Sequence, residues 1–290
     1  MTKVGRLLCL AHGPFACTLD PQMGGALHDL TYAGLHFLRS ASRPVSATET
    51  ACFAMLPFCN RVSGDVRMND KAWPIEPNFG IPPAPCHGDG WQSVWKTDKR
   101  TPHSAQLSLA SRRPPFAYSA SQTLTLSDEG LRMELSIRNE AVEVMPFGLG
   151  FHPHFPDPDT ATLKFAARRI WLEGPDRLPT EPISVPPELD HTSGAPISPH
   201  WRNNSYDDWA GLVQIEWSDG RRLSMQADAI LSVLHVYRPP GQQFFCLEPQ
   251  THVSGAMGWA HGAMHGIAQL APGATLQAAV MLSPSLPQRR

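Results

Sequence analysis

Proline and glycine are scattered along the whole of this chain, and that punctuation narrows its possible folds more than any other feature. There are 29 prolines and 22 glycines. Together they make up roughly 18% of the sequence, against an average of about 12%. No single linker collects them. Proline removes a backbone donor and glycine loosens the backbone, so neither favours a helix interior. Short apolar runs between turn signals every 8 to 12 residues or so are the pattern of an all-β sandwich or barrel. No segment keeps a 3.6-residue period over three turns between breakers.

Alternation supports that reading. In "SQTLTLSDEGLRMELSIRN", Leu124 and Leu126 alternate with Thr123 and Thr125. Past the turn, Leu131, Met133, Leu135 and Ile137 alternate with Arg132, Glu134, Ser136 and Arg138. Period two on both arms places one face in a core and the other in water. "LVQIEWSDGRRLSMQAD" reads as a second hairpin with "SDG" as its turn. "AQLSLA", "ATLKFA", "ILSVLHVY" and "ATLQAAVML" read as further strands, and "LLCLA" as the first. Two stretches, 66–90 and 174–211, read as long loops, where function tends to sit on a β scaffold. No repeat or linker divides the chain. The expectation is one large antiparallel β-sandwich domain over residues 1–290, with long active-site loops.

Composition removes several partners. Net charge is −2 and there is no basic run, which disfavours nucleic acid. No stretch approaches ~18 consecutive apolar residues, so no membrane span is expected. The weakly apolar run near the start is cut short by His12, Gly13 and Pro14, unlike a signal peptide. Six cysteines lack the paired short spacings of a zinc framework or disulfide scaffold. Free thiols point to a reducing compartment, hence cytoplasm.

Four stretches combine polar or ionisable groups with apolar or glycine-rich surroundings. "MLPFCNRVSGD" holds Asn60 and Arg61, and a guanidinium can grip ligand hydroxyls or form a salt bridge. "CHGDGWQSVWK" holds His87, Asp89, Trp91 and Trp95. Its indoles suit either a sugar-stacking platform or the core. "GLGFHPHFP" pins His152 and His154 between aromatic rings. A His-x-His metal pair is conceivable there, but Pro153 constrains it and no nearby carboxylate completes a set, so no metal is expected. "FFCLEPQTH" ends an apolar dive on Glu248. A buried carboxylate is costly, so Glu248 is either salt-bridged or placed for chemistry. The set amounts to an acid–base kit for a neutral polyhydroxylated ligand.

In this order, "GGALHDL", "PFCNRVSGD", "HGDGWQSVW", "GFHPHF" and "CLEPQTH" resemble the aldose 1-epimerase (mutarotase) family over nearly the whole chain. The resemblance implies a large antiparallel β-sandwich (supersandwich), a small sugar as partner, and no cofactor. It makes Glu248 the catalytic base and His152 the catalytic acid. It makes Arg61 and His87 holders of the sugar's oxygens, with Asn60 and Trp91 beside them. The family also hydrogen-bonds sugar hydroxyls through an aspartate. In "NNSYDDWAGL" that role falls to Asp207, or alternatively to Asp208. His154 stands where the family commonly has Tyr, and Trp209 replaces a usual Phe. A silent sugar-binding protein, or a carbohydrate isomerase or lyase on the same frame, remains the alternative.

Overall fold

The computed structural model describes residues 7–62, 64–80 and 85–287. Nearly everything regular in it is antiparallel strand. The hairpins read from alternation are present: Tyr118–Ser127 pairs with Gly130–Asn139, and Leu212–Trp217 with Arg222–Ala227. The strand Leu8–His12 opens the described chain and pairs with Phe15–Asp20.

Two large sheets carry the fold. The smaller has nine strands, and its middle is Arg222–Ala227, Thr275–Ser285, Gly130–Asn139 and Tyr118–Ser127. The larger has eleven. Its centre runs, in spatial order, Ala26–Tyr32, Cys52–Met55, Gly150–Pro156, Phe244–Gln250, Val233–Arg238 and Arg202–Asp207. Apolar side chains of both sheets merge in one core cluster, in which Phe155, Phe245 and Leu247 join Leu131, Met133 and Leu282. Phe37 meets Trp217 edge-on at 6.0 Å, and Gln122 Nε2 donates to the Gly25 carbonyl at 3.1 Å.

The central strands of the larger sheet are buried on both faces. Phe151 and Phe155 belong to the core cluster, and so do Phe245, Leu247, Leu234 and Val236. By strand alternation, His152, His154, Cys246, Glu248, His235 and Tyr237 take the opposite face. The apolar run 244–247 can therefore end on a carboxylate, because Glu248 and its apolar neighbour Leu247 point to opposite sides.

The segment 174–211 is not the long loop expected. It contains the strands Pro179–Ser184 and Arg202–Asp207, and the second pairs with Val233–Arg238 over five residue pairs. Its proline and asparagine content hid this, since the strand's half-buried, polar start, "RNN", carries no apolar alternation. Among residues 66–90, Val66–Met68 and Lys71–Trp73 form a small hairpin. Among the described residues no helix is long and apolar enough to cross a membrane.

Candidate active site

Strand register builds the site as rows of side chains. Gly150 pairs with Gln250 and His154 with Cys246, which puts His152 opposite Glu248. Between those pairs the recorded ladder lapses, where Pro153 and Pro249 offer no N–H. On the far sides, His152 pairs with Phe53, Glu248 with His235 and His235 with Ser205. One row therefore runs Phe53, His152, Glu248, His235, Ser205. Its neighbour contains His154, Cys246, Tyr237 and Asn203.

Glu248 Oε1 lies 3.2 Å from His152 Nε2. Glu248 is 1% exposed and His152 7%. Glu248 Oε2 and His152 Nδ1 have no protein partner. Burial pushes the Glu248 carboxyl well above its usual range. Burial, then the nearby His235, lowers His152 to about 3. Both shifts oppose charge in a dry site: burial favours the neutral carboxyl and the neutral imidazole. His152 packs near-parallel to Phe53, with centroids 4.5 Å apart, and to His154, 4.7 Å apart, and those two rings lie 6.0 Å from each other. His87 meets it edge-on at 5.0 Å.

Two loop segments bring the remaining groups. His87 donates its backbone N–H to the Asn60 carbonyl at 2.9 Å, and the Asn60 N–H donates to His87 Nδ1 at 3.0 Å. That bond makes Nδ1 an acceptor and leaves the proton on Nε2. Burial, with His152 next, holds His87 well below the usual imidazole range. Asn60 and His87 have φ of 57° and 58°, sparsely populated conformations that cluster at functional sites. Gly88, with φ +66°, passes so close to Leu56 that a Cβ would lie 2.1 Å from its carbonyl oxygen. Only glycine lets this loop lie against the sheet.

Glu248, His152, His87, Arg61 and Asn60 all line one cavity of ≈ 200 Å³. Five of the seven residues expected from the sequence therefore come together. Phe53, Phe79, Tyr237 and Phe244 give it apolar walls, and the Arg61 guanidinium lies 5.6 Å from the Phe79 centroid.

Trp91 and Asp207 are not among the residues lining it. Trp91 is 3% exposed and packs 5.6 Å from Phe53. Its Nε1 donates to the carbonyls of Cys86, at 3.1 Å, and Gly88, at 3.0 Å. It supports the His87 loop from below and offers no platform to a ligand. Asp207 Oδ1 accepts from Arg169 Nε and Oδ2 from Trp171 Nε1, each at 2.9 Å. Both oxygens are committed to the neighbouring strand Arg169–Glu173. Asp208 lies beside Arg169 too. Asp89 accepts from Ser111 Oγ at 2.6 Å and Tyr118 OH at 2.7 Å, which makes it an anchor for the same loop.

The strand Arg202–Asp207 instead brings Asn203 to the cavity. Asn203 Oδ1 accepts from His235 Nε2 at 3.0 Å, and its Nδ2 donates to Glu173 Oε1 at 2.5 Å. Trp201 Nε1 donates to Glu173 Oε2 at 2.6 Å. Ser205 Oγ meets His235 Nδ1 at 3.0 Å. Burial, with Arg61 adding, lowers His235 to about 3, so it is a neutral donor to Asn203. The sequence signal for His235 was available: it is the polar residue between Leu234 and Val236 in a recognised strand. Asn203 had none, because its strand was read as loop.

A buried carboxylate and imidazole in contact, beside a cavity of ≈ 200 Å³ on a large antiparallel β-sandwich, make an acid–base type of site. The family profile described as aldose 1-epimerase matches residues 7–280, and the chain belongs to that family, whose members act on small sugars. The uncharacterised protein YphB of Escherichia coli K12 is 31% identical over 253 residues, covering 84% of this chain and 87% of YphB. A crystal structure from Escherichia coli K12, provisionally assigned as an aldose 1-epimerase, superimposes with TM-score 0.91 at 28% identity, covering 97% of this chain and 99% of that one. A galactose mutarotase-like protein from Clostridium acetobutylicum shares the fold, with TM-score 0.83 at 19% identity over 97% and 95% of the two chains.

Proposed function

We propose that this chain is an aldose 1-epimerase, a single-domain isomerase that interconverts the α and β anomers of a free sugar. The carrying observation is the Glu248–His152 pair, 3.2 Å apart and buried at the cavity. Mutarotation needs one base and one acid. Glu248 takes the proton of the anomeric hydroxyl as the C1–O1 bond becomes a carbonyl. The C1–O5 bond breaks, and O5 takes a proton from His152. The C1–C2 bond turns, and the reverse steps close the ring on the other carbonyl face. Atoms and charge balance without redox change.

Burial favours the arrangement with the proton on Glu248. The reactive arrangement is reached by moving it across the 3.2 Å contact to His152. His87, held with Nε2–H outward by Asn60, and Arg61 are donors for the sugar's oxygens. Asn203, held by His235 and Glu173, takes the hydroxyl-reading role that the resemblance implied for an aspartate. An amide with one N–H left over donates where a carboxylate could only accept.

Polarimetry on freshly dissolved α-glucose, α-galactose and a wider panel of aldoses tests this reading. Acceleration over the buffer rate with at least one sugar supports it. Sugar binding without acceleration on any of them turns the chain into a binding protein.

A further inference from the structure

His154 and Cys246 are directly opposed across two central strands, and His152 precedes His154 by two residues on the same face. One donor atom from each of the three lies within 4.8 Å of the other two. All three are buried, at 7%, 3% and 0% exposure. Cys246 is a free thiol. The Nδ1 atoms of His152 and His154 find no protein partner, and buried polar atoms without one are rare. We propose that His152, His154 and Cys246 form a site for a thiophilic transition-metal ion of the zinc class, whose binding stops the cavity's proton chemistry by occupying His152. The inhibitory half rests on the proposed mutarotation; the binding half does not.

The donor set selects the ion. Two imidazoles and a thiolate suit zinc or copper, whereas magnesium and calcium demand oxygen ligands. His152 and His154 line the cavity, so a further coordination position faces the space a sugar or water would use. Three protein ligands with one open position is the arrangement of a reactive zinc site, not a closed structural one. Glu248, against His152 Nε2, supplies the outer carboxylate that commonly orients a ligating histidine. Arg39 is also close to this cluster: its Nη2 is held by the carbonyls of Thr48 and Thr50, and its guanidinium lies 4.6 Å from the Phe244 centroid. That positive charge opposes any cation held by charge alone and leaves those that bond to the thiolate.

The test uses the full chain and Co2+ as a spectroscopic probe, followed by Zn2+ against a chelating indicator. One equivalent of Co2+ is expected to give a thiolate-to-cobalt charge-transfer band in the near ultraviolet, which Zn2+ then bleaches. Cys246→Ala is expected to abolish the band. It should weaken Zn2+ binding by more than the ~100-fold that loss of an outer partner costs, while leaving mutarotation intact and insensitive to zinc. His154→Phe, at a position already flanked by aromatic rings, gives the same binding readout should Cys246→Ala fold poorly. No band in the full chain, or a band that survives both substitutions, overturns the site. A band that depends on Cys246, with zinc-insensitive mutarotation, overturns the inhibition. The same band in a chain that epimerises no sugar keeps the metal site and removes the proposed function instead.

Discussion

Glu248 Oε1 faces His152 Nε2 at 3.2 Å, and burial drives the two groups in opposite directions, the carboxyl up and the imidazole down. Glu248→Gln keeps the shape and removes the base. kcat is expected to fall by about two to four orders of magnitude, the usual worth of a positioned general base. Folding should survive, because Gln matches Glu in shape and brings no charge into the buried site. Polarimetry with a thermal melt checks both. An unchanged kcat in a folded variant takes Glu248 out of the mechanism.

The pair shares one proton, so kcat/KM should follow a bell in pH. Activity requires the singly protonated pair, whichever member carries the proton. The acid limb then belongs to His152, whose value is about 3. The alkaline limb belongs to Glu248, raised well above 4.5. Carbon-13 NMR of the Glu248 carboxyl should show it titrating above the ordinary carboxylate range. An ordinary titration there contradicts the assignment.

Buried neutral histidines make the fold acid-labile. Burial lowers His152 and His235 to about 3 and His252 to about 4. In the unfolded chain each protonates near 6.5, so below that pH the unfolded state binds more protons and stability falls. Their contribution is complete above pH 6.5 and is lost as pH falls towards the folded values. Each can contribute at most about 1.4 kcal/mol per pH unit. Denaturant melts between pH 7 and 4 should show this decline. His235→Gln should flatten it.

Asn203→Ala removes the partner of both His235 Nε2 and Glu173 Oε1. Leaving these groups unsatisfied should cost about 1–3 kcal/mol each. Since Asn203 reads a hydroxyl in the proposed complex, KM should rise more than kcat falls. A variant with unaltered melting temperature and KM removes Asn203 from both roles.

Gly88→Ala tests the loop that carries His87. The residue has φ +66°, and a Cβ would meet the Leu56 carbonyl oxygen at 2.1 Å. Where the backbone suits alanine the change stabilises by up to about 1 kcal/mol; here the strain should destabilise by more than that, and should displace His87. Sugar affinity is expected to drop in a chain that still folds. Unaltered affinity would mean that the loop's position does not matter to binding.

The strands were legible wherever alternation was complete, as in 121–139 and 212–228. Site residues were legible where a polar group interrupted a buried run, as at Glu248 and His152. Asp207 could not be positioned from the sequence, because face and row cannot be known for a strand taken as loop. Asn203 lies level with Tyr237, on the cavity side. Asp207 is four residues further along the same strand, beyond the Glu248 row and level with Arg169. Trp91 was ambiguous in the sequence because an indole in a glycine loop suits a platform and a core alike. Only its two carbonyl partners decide.

The row Phe53, His152, Glu248, His235, Ser205 has a consequence for how this chain can tolerate change. Each member comes from a different strand and stays on the cavity side only while its numbering keeps step with its neighbours. Inserting or deleting a single residue within Gly150–Pro156, Val233–Arg238 or Phe244–Gln250 would exchange the two faces. It would drive a carboxylate or an imidazole into the core cluster and turn a leucine or valine towards the sugar. Length variation in this lineage should therefore collect in connections such as 185–194, and the segments carrying the chemistry should keep their length even where their side chains vary.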